Sequence, residues 1–440
     1  MRAELRRLPA ALVLLAVAAL VAAGCGGGGQ APFKVGVVAD CVGVNRSLHD
    51  EELAGAELPL IQRGAELRGQ LPSGGVGQAE VGGRAVELVP GCTELWEFSI
   101  LTSEVRRLVE REHVDAIVAA GSGPDEVVLA EVARLYPDVV FIAVAHGPRE
   151  LTLRHRPANL FRFAADHGQG VAGLATYAYR RLGWRDAAVV LINWDAGWGA
   201  RDAFVAEFCS LGGRISKQIP IESFDPSGRD VARIPRGADG VAVFAPPFID
   251  PTGFLRRLAS GYADPAGHIL LGPTITSDPT LLRSVRGALT GVTGSSYVDP
   301  ARMRGYLRAF GRAFPGTPAD VAGDELVTGY HDSVAALLSG LEKAHGSTAA
   351  LPAALAHLRV DLLGGPVHLD RNGQAVVSPS LVRIEPGDAP APGLAREGTV
   401  RGVDQSIGGL LEPSMVPTDR PAKCKAGASP PPWARSPSRP

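Results

Sequence analysis

The stretch AIVAAGSGPDEVVLAEVARLYPDVVFIAVA, residues 116–145, decides the fold. It opens on Ala116-Ile117-Val118, a short apolar run of strand character. The turn Gly121-Ser122-Gly123 follows, and Pro124 suits the first position of a helix over 124–136. The apolar run 139–144 then closes the unit as a second strand. Strand, helix, strand is the unit of a parallel sheet covered by helices.

The same alternation continues outward in both directions. Upstream lie strand 33–38, an amphipathic segment from Asp50 to about Arg68, strand 85–89, and a helix from Leu95 to Glu112. That helix puts Phe98, Leu101, Val105, Leu108 and Val109 on one face, the spacing of a buried stripe. Downstream come helix 167–182, strand Ala187–Ile192, helix 198–211, strands Ile215–Ile221 and Gly240–Phe244, helix 250–260 and strand His268–Leu271. Two such runs predict an α/β protein of two lobes, each a doubly wound parallel sheet. Helices at 300–314, 324–345 and 348–358 precede a hairpin, Gly365–Asp370 with Ala375–Ile384, turning at Arg371-Asn372-Gly373. From Glu385 onward Pro, Gly and Ser dominate, which predicts a largely disordered tail.

Composition narrows the class. The 440 residues are 45% hydrophobic, enough for two or three cored domains. With 44 Lys and Arg against 46 Asp and Glu, no basic footprint for nucleic acid exists. Arg2, Arg6 and Arg7 precede the uncharged run Leu8–Ala23, a positive region followed by a secretory apolar region too short to span a bilayer. The following Val21-Ala22-Ala23-Gly24-Cys25 resembles a bacterial lipobox, so that 1–25 is signal peptide and lipobox, with Cys25 as the lipidated first residue of the mature chain; an ordinary signal peptide containing a cysteine is the alternative. A glycine-rich tether, 26–32, follows. The expectation is an extracytoplasmic protein held to the cell membrane by its lipid anchor.

Export brings an oxidising compartment, and four further cysteines favour disulfides. Cys41 and Cys92 each lie just past an apolar run; if those runs are neighbouring parallel strands, their thiols come within bridging range. Cys209 and Cys424 would then staple the tail to the body.

No catalytic signature is present. An alanine upstream of Ser122 breaks the Gly-x-Ser-x-Gly elbow, and the glycines at 74–83 precede a strand where a dinucleotide fingerprint follows one. His331 with Asp332 and Glu325 could suggest a metal cluster, but residues 325 and 331 fall on different faces of a helix, so a solvated or interlobe pair is the expectation. No cofactor is implied. In open α/β sheets ligands bind beyond the strand tips, where helix N-termini point their free N–H groups. Ser122 and Gly123 could there hold an anion, or Ser122 could cap its own helix. Trp194 and Trp198 sit in a loop after a strand, either as a flat wall against a ligand or as interlobe packing, with Phe248 as an opposing wall.

Six short motifs in order now give a resemblance: Leu53-Ala54-Gly55-Ala56-Glu57, Gly121-Ser122, Trp198-Gly199, Leu271-Gly272-Pro273, Gly329-Tyr330-His331-Asp332-Ser333, and the closing Gly364-to-Gly373 hairpin. Residues 33–385 resemble the type I periplasmic binding proteins of the branched-chain amino-acid (leucine-binding) group of ABC-transporter solute receptors. The resemblance implies two lobes on a three-segment hinge, 33–157 with 293–365 and 158–292 with 366–388, leaving 389–440 as tail. It implies that Gly121, Ser122, Gly123 and the turn Ala145-His146-Gly147 bind a ligand carboxylate while Trp198 packs on the ligand body. Thr274 stands where amino-acid-binding members place an acidic residue for the α-amine. The expected function is capture of a small polar, amino-acid-like solute by a monomer that presents it to an ABC permease, with no catalysis. The alternatives are a ligand-sensing lipoprotein beside a signalling partner, or a receptor like the nucleoside-binding basic membrane lipoproteins, which residues 130–141 resemble.

Overall fold

In the computed structural model of this chain, residues 30–119, 124–154, 156–245, 250–318, 321–386, 393–412, 414–425 and 427–435 are described. The first sheet contains β1 (Phe33–Asp40), β2 (Ala79–Val81), β3 (Arg84–Thr93), β4 (Ala116–Ala119), β5 (Val140–Ala143) and β6 (Leu160–Arg162), in the order β2-β3-β1-β4-β5-β6. All neighbours are parallel except β2, which folds back on β3. Alternation explains why its central strands read as unbroken apolar runs. Val35, Val37, Ala116 and Val118 enter one core, while Val38, Ile117 and Ala119 enter another on the opposite face.

The second sheet contains β7 (Asp186–Ile192), β8 (Arg214–Ile221), β9 (Gly240–Phe244), β10 (Ile269–Leu271) and β11 (Thr293–Ser296). A small sheet follows in the chain, from β12 (Arg359–Leu362), β13 (Gly365–Leu369) and β14 (Ala375–Val376). β15 (Ser380–Ile384) and β16 (Leu394–Thr399) then extend the second sheet, whose order is β16-β15-β11-β10-β9-β7-β8. β15 and β16 are antiparallel additions to a parallel centre. Two mostly parallel sheets in two lobes are what the strand–helix rhythm predicts.

The chain passes between the lobes after β6, after β11 and between β14 and β15. Two lobe boundaries therefore differ from expectation. Leu160–Arg162, expected in the second lobe, pairs with β5 in the first sheet. Thr293–Ser296, expected with the first lobe, pairs with β10 and β15 in the second. Strands so short carry too little pattern to say which sheet edge they join. The expected hairpin forms around Asn372-Gly373, but its second arm breaks near Pro379, so Ala375–Val376 stay in the small sheet while Ser380–Ile384 cross over.

The helices Pro300–Ala313 and Glu325–Lys343 return to the first lobe and pack on the helix His49–Ile61. A Cβ on Gly55 would stand 2.3 Å from the Val327 carbonyl oxygen, so the small residues of the Leu53–Glu57 motif let two helix backbones approach.

The tail departs most from its composition. Leu394 lies on β16, and Val400, Val403, Ile407, Leu410 and Leu411 beyond it are all buried. Cys209 and Cys424 are disulfide-bonded with Cα atoms 5.4 Å apart, and Cys41 with Cys92 at 5.3 Å. The second bridge closes as the parallel β1–β3 pairing requires, since Ala39 stands opposite Cys92 and Asp40 opposite Thr93.

Candidate functional site

A crevice lies where strand tips of the two lobes meet. It holds a cavity of about 800 Å³. The first lobe contributes Trp96 and Phe98 after β3, Val127 and Val128 on the helix after β4, and Pro148, Arg149 and Glu150 after β5. The second lobe contributes His167, Gly168 and the start of the helix Asp195–Ser210, with Trp194, Asp195, Trp198 and Gly199. Val416 and Pro417 of the tail complete the wall. The lining is mainly apolar and aromatic.

Trp198 therefore sits where a ligand wall was expected, though on the first turn of a helix and not in a loop. Its indole N–H donates to Asn193 Oδ1 at 3.1 Å, which fixes the ring. Trp194 and Trp96 meet edge to face across the lobes, ring centroids 5.8 Å apart. Trp194 thus packs between the lobes, and Trp198 lines the cavity beside it.

Two buried side chains in this wall keep polar atoms with no hydrogen-bond partner among the described residues. Arg149, 4% exposed, donates through Nη2 to the Glu412 carbonyl at 3.3 Å, but its Nε and Nη1 are unpaired. The carboxylates near enough to act on it are Asp166, Asp202 and Asp404. Each is engaged elsewhere: Asp166 by the Gln169 N–H at 2.7 Å, Asp202 by Arg201 at 2.7 Å, and Asp404 by Ser406 Oγ at 2.7 Å. The second group is His167, whose Nε2 is likewise unpaired. Burial, reinforced by Arg162 and His146, pushes its pKa down to about 3, so the ring is neutral.

The turn Ala145-His146-Gly147 packs into the hinge. His146 stacks on Tyr297 with centroids 3.3 Å apart, and its Nδ1 lies 3.2 Å from the Ala165 carbonyl. Burial lowers its pKa to about 3 as well. Gly147 faces the Glu126 carboxylate, and a Cβ there would collide with it. Glu126 is fully buried and paired with Arg162 at 2.9 Å; desolvation outweighs that pairing and pushes its carboxyl up to about 8. The turn is thus occupied by the chain's own side chains where a ligand carboxylate was expected. Thr274 donates its hydroxyl to the Ala245 carbonyl beside a void of only about 10 Å³, roughly one water's worth of space. Gly121, Ser122, Gly123, Phe248 and Cys25 lie outside the described residues. His331 pairs with Asp332 at 2.9 Å, and among the described residues no group of His, Cys, Asp and Glu is arranged to hold a metal.

Sequence reasoning missed Trp96, Phe98, Arg149 and His167. Arg149 had a signal, since it follows a turn already assigned to a strand tip. Trp96 read as an ordinary helix start, Phe98 as part of that helix's buried stripe, and His167 as the first residue of the helix 167–182.

Residues 32–389 match the family described as Periplasmic binding protein. No curated protein matches the chain. Among solved structures, an ABC transporter substrate-binding protein from Sphaerobacter thermophilus is 21% identical with a TM-score of 0.70, covering 85% of this chain and 99% of its own. A solute-binding protein of an ABC transporter from Rhodopseudomonas palustris, in complex with p-hydroxybenzoic acid, is 18% identical with a TM-score of 0.69 over 85% and 98%. A leucine-binding protein from Thermotoga maritima is 17% identical with a TM-score of 0.65 over 84% and 99%. Two parallel-sheet lobes and a solute-sized crevice between them agree with that match: the chain belongs to the periplasmic binding protein family, in its type I leucine-binding group, and is a binding protein and not an enzyme.

Proposed function

We propose that this chain is the extracytoplasmic solute-binding lipoprotein of an ABC importer, tethered through Cys25, which captures a small acid with a flat apolar body. The observation that carries this reading is the two-lobe cavity walled by Trp96, Phe98, Trp194 and Trp198, with Arg149 in the same wall. Aromatic faces favour a planar apolar body. The unpaired Nε and Nη1 of a buried guanidinium favour a carboxylate, which accepts two parallel hydrogen bonds from that fork. Such a ligand touches both lobes only when they are shut, so its binding energy favours the shut state. The p-hydroxybenzoic acid bound by the R. palustris protein belongs to this chemical class. Among the described residues no helix is long and apolar enough to cross a membrane.

This reading narrows the expected polar, amino-acid-like solute to one with less polarity and no required amine. Thr274 offers no negative charge for an ammonium, and its hydroxyl is spent on Ala245. Mass spectrometry of solute released by denaturing gently purified protein tests the proposal. An aromatic or otherwise apolar monocarboxylate is expected; a nucleoside or a free amino acid would replace the acid reading. Absence of any solute, together with no thermal shift from aromatic acids, amino acids or nucleosides, would remove the receptor reading itself.

A further inference from the structure

The segment 404–425 lies beyond the residues that match the family, yet it forms part of the cavity and touches both lobes. Its ends are fixed to the second lobe. Upstream, β16 pairs with β15. Downstream, the Thr418 carbonyl accepts from Arg201 Nη2 at 2.7 Å, Ala422 exchanges two hydrogen bonds with Gln218 at 2.7 and 2.8 Å, and Cys424 is bonded to Cys209. Between these anchors the segment reaches the first lobe. There Gln405 Nε2 donates to Thr152 Oγ1 at 2.9 Å, Arg149 Nη2 to the Glu412 carbonyl at 3.3 Å, and Arg154 Nη2 to the Ser414 carbonyl at 2.6 Å.

The two sides differ in kind. Attachment to the second lobe includes a covalent bond, whereas attachment to the first is by hydrogen bonds that can break and re-form. We infer that residues 404–412 and 414–425 are a disulfide-anchored latch: carried by the second lobe, they complete the ligand cavity with Val416 and Pro417 and hold the lobes together through Gln405, Arg149 and Arg154. When the lobes part, the contacts to Thr152, Arg149 and Arg154 are the ones that must open, and the latch stays with the second lobe. Solute exchange then has two requirements, hinge opening and latch release. A receptor without this segment would have only the first. The inference rests on the crevice being the ligand site, which the experiment below keeps separate.

The test compares three full-length proteins: wild type, Arg154→Ala, and Cys209→Ser with Cys424→Ser. Arg154 is half-exposed, so its removal leaves the core intact. Lobe separation is read without any ligand, as the radius of gyration from solution scattering and as the near-ultraviolet circular dichroism of the Trp96–Trp194 contact, with Trp96→Phe as the reference signal. Both variants are expected to expand and to lose the tryptophan signal. Loss of one charge-assisted hydrogen bond should speed dissociation of 2-naphthoate, or of the copurified solute, by about tenfold in Arg154→Ala. Unchanged size, tryptophan signal and dissociation rate in folded variants would overturn the latch. Expansion of the variants in a protein that binds no solute would keep the latch and discard the ligand reading; solute binding with no difference between the proteins would do the reverse.

Discussion

His146 and His167 are held neutral in the hinge, each with its pKa lowered to about 3 chiefly by burial. An unfolded chain protonates both near pH 6.5. Between those values the unfolded state binds more protons than the folded one, so stability rises with pH across the window and is lost as pH falls below about 6.5. Each ring contributes a slope of roughly 1.4 kcal/mol per pH unit. His167→Gln should therefore flatten the acid side of the stability profile by one such slope between pH 4 and 6, measured by urea unfolding against wild type. An unchanged slope would mean that the ring is charged in the fold. At Arg149 the prediction concerns ligand charge. Wild type should bind 2-naphthoate more tightly than the neutral 2-naphthamide, and Arg149→Met should erase that preference, a loss of roughly 10- to 100-fold for the acid alone. Equal binding of acid and amide by wild type would sink the carboxylate reading while leaving the aromatic cavity in place.

At the scale of elements, the close approach of His49–Ile61 to Glu325–Lys343 gives a sharp expectation. Gly55→Ala places a methyl 2.3 Å from the Val327 carbonyl and should cost about 1–3 kcal/mol by overpacking, whereas Gly237→Ala, with open space around it, should stay within about 0.5 kcal/mol. Chemical denaturation of both distinguishes a packing effect from a general glycine effect. This contact also shows what was legible. The run Leu53-Ala54-Gly55-Ala56-Glu57 reads as a helix from its own residues, and its small side chains say that something packs closely there, but not what. β1, β4, β5 and β7 were readable because strands buried on both faces are apolar throughout. β6 and β11, at three and four residues, depend for their sheet membership on neighbours that lie far away in sequence. The cavity lining was legible at Trp198, an aromatic beside a strand tip. It was not legible at Ala145–Gly147, because occupation of that turn by Glu126 and Tyr297 depends on side chains brought from other elements.

For the whole molecule, the tail is where composition misled most. Its Pro and Gly content argued for disorder, yet Val400, Val403, Ile407, Leu410 and Leu411 are buried in a core that contains residues of both lobes, and Trp433 reaches Glu207 at 3.2 Å. Cys424 was the counter-signal, since a cysteine in an exported tail needs a partner in the body. The bridge to Cys209 spans 215 residues of sequence, against 51 for Cys41–Cys92. In the chain-entropy account the larger loop is worth more, about 5 kcal/mol against about 4, with native strain reducing both in practice. Replacing Cys209 and Cys424 by serine should thus lower the unfolding free energy by about 2–5 kcal/mol, and replacing Cys41 and Cys92 by a similar or smaller amount. The two bridges lie in different lobes and share no partner, so the losses should add to within about 0.5 kcal/mol in the quadruple variant. A quadruple loss well short of the sum would mean that the lobes unfold separately and that the tail bridge stabilises only its own half. Agreement with the sum would mean that both lobes unfold as one cooperative unit, which a segment tied to both of them at Arg154 and Cys209 would produce.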